Sequence, residues 1–260
     1  MIRLNILSET KALEGYGAEH GLSFLVEADG KSFLFDTGAS DLFMRNAALM
    51  GIDPNQAEAV VLSHGHFDHG DGLPYLERNT LVCHPGCFVK RYRKLGFGNI
   101  GISLSEASAG KRFDLVPSRD PLWLTEHLLF LGEIPRENAF EAQATPYILE
   151  DGTKDFIYDD SGLACVTEGG LVVVSGCAHS GICNMITHAL RVTGEDRVKA
   201  VIGGFHLRER DRQLQETIAF LEALQPGAVY PSHCTRDPAL SAFHEVFGSG
   251  EVAAGSTITF

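Results

Sequence analysis

The chain has 260 residues, 44% of them apolar, and a formal net charge of −13. That length and composition suit one sizeable soluble core, and no apolar run approaches the roughly 20 residues that span a bilayer. The acidic balance argues against an extended DNA- or RNA-binding face, which is basic, and for a small-molecule substrate.

Residues 1–7 read as a strand, without the basic start, long apolar segment and small-residue cleavage site of a signal peptide, so a cytoplasmic protein with no membrane contact is expected. A glycine-rich loop occupies 14–21. Strands at 22–27 and 31–36 join around Asp29-Gly30, a hairpin signal, and the second closes in Asp36-Thr37-Gly38. Residues 40–50 have helical spacing with Ser40 as the cap. Ala59-Val60-Val61-Leu62 then reads as a buried strand. It runs into Ser63-His64-Gly65-His66-Phe67-Asp68-His69-Gly70.

This stretch carries three histidines and an aspartate within six residues. In a chain leaving a strand, His64 and His66 point the same way, because side chains alternate with period two. A turn at Phe67 aims Asp68 and His69 at a neighbouring point. Imidazoles and a carboxylate converging there suit zinc, with manganese or iron as the other candidates. The His-x-His-x-Asp-His pattern resembles the metal motif of the metallo-β-lactamase superfamily. Asp36 resembles the acid that commonly supports the metal-loop backbone there.

Beyond the motif, residues 72–77 begin a helix and 81–85 form a strand, an α/β alternation. Residues 86–158 read as an insertion that builds the substrate pocket of a single 1–260 domain, with an apolar face that would make a homodimer. The basic run Lys90-Arg91-Tyr92-Arg93-Lys94 reads as a solvated helix face, or else a phosphate patch. A hairpin follows at 162–166 and 171–175, then helices at 182–192 and 212–224 and strands at 199–202 and 228–230. Three strand ends deliver candidate ligands: Gly176-Cys177-Ala178-His179, Gly203-Gly204-Phe205-His206 and Pro231-Ser232-His233. In layered α/β proteins that edge gathers functional groups.

A binuclear site would take His64, His66 and His179 for one ion and Asp68, His69 and His233 for the other. In the superfamily's common pattern a histidine precedes the hairpin and a Gly-Asp ends it, with that aspartate bridging the ions. Here Asp159-Asp160 precedes it and Gly176-Cys177-Ala178-His179 ends it, so acid and histidine look exchanged, with Asp160 or Asp159 as the bridge. Asp68 and Asp160 are the candidate proton acceptors. His206 is a ligand, a general acid or an anion contact. His84 and Arg136 are candidate substrate contacts. His20, His127, His188 and His244 have no supporting constellation. The cysteines at 83, 87, 165, 177, 183 and 234 are irregularly spaced and expected reduced; Cys177 and Cys234 flank candidate ligands.

Glu19-His20-Gly21-Leu22-Ser23, Gly132-Glu133-Ile134-Pro135-Arg136, Asp159-Asp160, the Cys177–His179 segment and Gly203-Gly204-Phe205-His206-Leu207 occur in this order across nearly the whole chain. Together they resemble the superfamily branch described as dihydropterin-ribofuranosylaminobenzene 5′-phosphate synthase-like. The resemblance implies a four-layer αββα sandwich of mixed α/β class with two divalent ions at one edge. It implies a metal-dependent hydrolase of a small phosphorylated or cyclic substrate, or a pterin-type transferase. A di-iron redox protein or binding module is the third reading, although redox relatives usually carry Glu where this chain has His66.

Overall fold

A computed structural model describes residues 1–96 and 98–260; the glycine-rich piece at 96–101 contains Phe97, which lies outside the described residues. The first half of the chain forms β1 (Arg3–Ser8), β2 (Ser23–Ala28), β3 (Lys31–Phe35), α1 (Leu42–Leu49), β4 (Ala59–Val61), one helical turn α2 (Phe67–Gly70), β5 (Thr80–Cys83), β6 (Arg91–Arg93), α3 (Glu106–Arg112) and β7 (Asp114–Pro117). The second half forms β8 (Leu122–Trp123), β9 (Leu128–Phe130), β10 (Tyr147–Leu149), β11 (Gly162–Thr167), β12 (Gly170–Ser175), α4 (Ile182–Thr193), β13 (Val198–Gly204), α5 (Arg212–Leu224), β14 (Ala228–Ser232), α6 (Ala239–Phe247) and β15 (Thr257–Thr259).

Two large mixed sheets result, ordered β15-β1-β2-β3-β4-β5-β7 and β14-β13-β12-β11-β9-β8. Period-two alternation divides their side chains between layers. Leu163, Val172, Val174, Ala200 and Ile202 of the second sheet meet Leu4, Phe24, Phe35 and Val61 of the first. Their neighbours Ala164, Val173 and Val201 face the other way, onto Met185, Ile186, Leu214, Leu221 and Phe243 of α4, α5 and α6. The outer face of the first sheet, including Leu25, Leu34 and Val60, is covered by Phe43 and Ala47 of α1. Helix, sheet, sheet and helix make the expected αββα sandwich. Strands buried on both faces explain the near-continuous apolar runs at β4 and β12. Asp29 (φ 53°) and Gly30 (φ 73°) adopt the two positive-φ positions that the β2–β3 hairpin requires.

Three expectations change. The start at 72–77 is a 3₁₀ turn at Leu73–Tyr75, where Pro74 leaves the backbone short of a donor. The basic run at 90–94 is an edge strand paired with β10; Arg91 is buried and Arg93 is exposed. The 86–158 segment is only partly an insertion, because β7 extends the first sheet and β8 and β9 extend the second.

The site lies where parallel strands end together. β3, β4, β5 and β7 run parallel in one sheet, and β12, β13 and β14 in the other. The C-terminal ends of β4, β12, β13 and β14 open into the segments carrying His64, Cys177, His206 and His233. No helix among the described residues is long and apolar enough to cross a membrane.

Candidate metal centre

Two trios of donor atoms form at this edge. His64 Nε2 and His179 Nε2 lie 2.9 and 3.2 Å from His66 Nδ1. His69 Nε2 lies 3.1 Å from His233 Nε2, and Asp68 Oδ2 stands 3.5 Å from His233 Nε2 and 4.0 Å from His69 Nε2. His64, His66 and His179 form a group whose donor atoms lie within 4.8 Å of one another.

The turn α2 explains how six residues serve two trios. His66 is its extended N-cap, and the helical turn that follows rotates Asp68 and His69 to the neighbouring point. Gly65 is obligatory, since a Cβ there would stand 1.8 Å from the Cys87 carbonyl oxygen. Gly176 has the same necessity, with Ser63 Oγ at 2.1 Å from the Cβ position.

Behind the donors is a rigid orienting network. Asp36, buried and held at φ 58°, accepts Ser63 N–H and Ser63 Oγ–H, each at 2.7 Å, and His69 Nδ1–H at 2.7 Å. His64 Nδ1 in turn donates to Ser63 Oγ at 2.9 Å. One carboxylate thus fixes the tautomers of two histidines, leaving both Nε2 lone pairs aimed into the site. Asp159 accepts the Gly65 N–H at 2.8 Å and a two-pronged pair of bonds from buried Arg91 at 2.8 and 3.1 Å, and Arg91 also faces Asp155. This clamps the metal loop from the opposite side.

Protonation favours ligation in the first trio. Burial, with neighbouring imidazoles adding to it, pushes His64 and His179 well below the ordinary histidine value. Burial also lowers His66 to about 3, against an opposing pull from Asp68. In the second trio burial alone would lower His233, but the hydrogen bond to Asp68 and nearby Cys234 and Glu9 raise it to about 9. Burial works to raise Asp68, yet His69 and His233 hold it well below the carboxylate range. With the His64 and His69 tautomers set, bare ring lone pairs confront one another at close range. A cation at the centre of each trio would be received by those lone pairs once His233 has shed its proton. The residues present therefore fit divalent metal ions.

The remaining expected residues fall into two sets. His206 joins the site: φ is 52°, its ring centroid is 4.5 Å from that of His179, and its Nε2 is 3.4 Å from Tyr147 Oη. Burial, then Arg208, lowers it to about 4. Asp160 is not drawn among the imidazoles. Its Oδ2 accepts the N–H of Ser180 at 2.9 Å and its hydroxyl at 2.5 Å, so the carboxylate fixes the turn after His179. Asp159 is committed to Arg91. His84 is held by the Gly86 N–H and by Glu133 Oε2, 3.2 Å away. Arg136 donates to the carbonyls of Phe156 and Ile157 and stacks on Tyr158. Each of these four side chains supports a neighbouring segment, and Asp160 keeps its other oxygen, Oδ1, buried with no partner.

Other residues complete the centre without having been singled out as site residues. His20 Nε2 is 3.2 Å from Asp68 Oδ2, and its ring stacks on His233 at 5.1 Å. Its position in the Glu19-His20-Gly21 motif was the available signal. Cys177 Sγ stands 3.2 Å from His69 Nε2. The mouth is a small cleft lined by His20, His66, Asp68, Arg93, Tyr147, Cys177, His179, His206 and Arg208, continuing along Tyr147 and His206 into a pocket of about 90 Å³.

Comparison with known proteins gives the same picture. A family model described as "Metallo-beta-lactamase superfamily" matches residues 16–143. Across its full length the chain is 34% identical to the 7,8-dihydropterin-6-methyl-4-(beta-D-ribofuranosyl)-aminobenzene-5'-phosphate synthase of Methanocaldococcus jannaschii, covering 97% of it. It is 30% identical to an uncharacterised protein of the same organism, over 94% of each. The crystal structure of Tm1679, described as a metal-dependent hydrolase of the beta-lactamase superfamily, superposes with a TM-score of 0.88 at 29% identity, covering 100% of this chain and 99% of that one.

Proposed function

The chain belongs to the metallo-β-lactamase superfamily, in the synthase-like branch, and from that premise we propose that it is a binuclear metal-dependent hydrolase of a small phosphorylated or cyclic substrate. The carrying observation is the His64, His66 and His179 trio beside the close approach of Asp68, His69 and His233, with two guanidinium groups, Arg93 and Arg208, at the mouth. Divalent ions held by His64, His66 and His179 and by Asp68, His69 and His233, zinc foremost and manganese or iron next, supply a Lewis acid that polarises a phosphoryl or carbonyl oxygen and acidifies water.

The protein's own groups do the rest. Arg93 and Arg208 make no ion pair among the described residues, so both are free to receive an anion in a chain that is acidic overall. His206 and Tyr147 flank the same opening. At neutral pH His206 is an unprotonated imidazole that accepts a proton or a hydrogen bond from substrate. Asp68 stays ionised and orients the second trio. Asp160 acts through Ser180 on the position of His179. The small volume of the adjoining pocket, about 90 Å³, favours a small molecule.

A second reading has its own support in the 34% identity over the full chain to a synthase. On that reading the same centre holds a phosphorylated leaving group during transfer of a pterin-methyl unit to an aryl acceptor. The experiment is a screen of the metal-loaded protein against phosphomonoesters, phosphodiesters and diphosphates, read by phosphate release, beside a pterin diphosphate with an aryl acceptor. Turnover of a phosphoester that His66→Ala abolishes supports hydrolysis. Product from the pterin pair alone, with every phosphoester inert, replaces it with transfer.

A further inference from the structure

The two trios leave the place between them without a protein bridge, and the acid expected there, Asp160, is held by Ser180. Asp159 is spent on Arg91 and Gly65. What does stand there is sulfur. The Cys177 donor atom groups with those of His64 and His69, all within 4.8 Å of one another, and also with His233 and Cys234. Among the described residues it is the one side chain outside the trios that groups with members of both. It is buried at the floor of the cleft, 3% exposed, and stands 3.2 Å from the His69 Nε2 lone pair, an atom whose proton position is fixed by Asp36. His66 Nε2, on the same histidine cluster, is buried with no partner.

Chain order explains the substitution. Cys177 follows Gly176 at the end of the β11–β12 hairpin, where the superfamily's common pattern has Gly-Asp. The close approach of Gly176 to Ser63 holds this strand end against the metal loop, so the side chain that follows is delivered to the histidines. Cys234 differs: its thiol donates to the Cys177 carbonyl at 3.7 Å, an arrangement that supports the strand end.

We infer that Cys177 is a metal ligand, its thiolate bridging the two ions in the position otherwise given to an aspartate, and that it turns a hard His/Asp centre into a thiophilic one. The inference rests on the binuclear reading above. On coordination the thiol proton passes to solvent and the sulfur lone pairs serve the ions; no oxidant enters. A soft bridging donor favours zinc, cadmium or cobalt over manganese.

The test uses spectroscopy of the full chain, so that activity is not the readout. Cobalt is loaded into the metal-free protein and counted per chain. The wild type should show a sulfur-to-cobalt charge-transfer band in the near ultraviolet. Cys177→Ser should lose that band while still binding cobalt, and Cys234→Ser should keep it. Cadmium-113 NMR of the wild type needs no variant and covers the case in which Cys177→Ser does not fold: both cadmium resonances should lie downfield of the nitrogen- and oxygen-only range. Bound cobalt without the band, a band that survives Cys177→Ser, or a single downfield cadmium resonance overturns the bridging thiolate while leaving the binuclear reading intact. Failure of the wild type to take up cobalt or cadmium at all overturns both.

Discussion

Replacing Asp36 by Asn isolates the orienting network from the donors themselves. The carboxylate receives three donors on two oxygens: Ser63 N–H on Oδ1, and Ser63 Oγ–H and His69 Nδ1–H on Oδ2. An amide offers one acceptor oxygen and one NH₂. With its oxygen in the Oδ2 position, His69 and Ser63 Oγ are served, but the NH₂ then faces the Ser63 N–H. The Ser63 N–H and the NH₂ itself are then both stranded, at a cost of about 1–3 kcal/mol each in the metal-free protein. The other rotamer strands more. The metal cost is separate: His69 loses its anionic partner, and His64 loses the polarisation relayed through Ser63. Loss of such an outer partner weakens metal binding about 10- to 100-fold, or about 1.4–2.7 kcal/mol. Urea unfolding of the metal-free protein measures the first quantity, and competition with a chromophoric chelator measures the second. Loss of stability with metal affinity unchanged would refute the orienting role and reduce Asp36 to a strand-end support.

Metal uptake by the second trio should be pH-dependent, because Asp68 raises His233 to about 9 and the ring must shed its proton to ligate. Apparent affinity should climb by about tenfold per pH unit between 7 and 9 and then flatten, with proton release on loading visible in weakly buffered solution. Arg91→Met should cost about 3–5 kcal/mol in unfolding experiments by leaving Asp159 buried without its partner, and Arg91→Met with Asp159→Leu should recover part of that loss. Arg208→Ala and Arg93→Ala should raise KM for an anionic substrate and weaken inhibition by inorganic phosphate, with metal content unchanged; equal inhibition constants in wild type and variants would remove both residues from substrate binding. Gly65→Ala should fail to hold metal or to fold, since its methyl meets the Cys87 carbonyl.

The sequence was most readable where one local period sets the geometry. Alternation after β4 and a turn at Phe67 placed His64, His66, Asp68 and His69 without any knowledge of distant contacts. The hairpin around Asp29-Gly30, the helix ending at Leu224 and the strand ends bearing His179, His206 and His233 were legible for the same reason. What escaped depends on partners far along the chain. Asp159 and Asp160 are adjacent and look alike, yet Arg91 takes one and Ser180 the other. Arg91 and Arg93 share a basic run, but strand pairing with β10 buries the first and leaves the second at the mouth. β7, β8 and β9 are short, and β7 and β8 mostly unburied, so they looked like insertion although they extend the sheets. His20 is remote from both trios in sequence and reaches Asp68 because the 14–21 loop packs across the site. Cys177 was read as a neighbour of His179, and only its distance to His69 sets it beside both trios.

The metal content of protein purified without added metal or chelator, counted per chain and repeated after reconstitution, tests the paired trios most directly. The geometry predicts about two divalent ions per chain, zinc foremost, falling when His66→Ala or His233→Ala removes one donor of either trio. A chain that stays metal-free after exposure to zinc, manganese and iron, or that holds ions undiminished in both variants, contradicts the assignment of these residues as ligands.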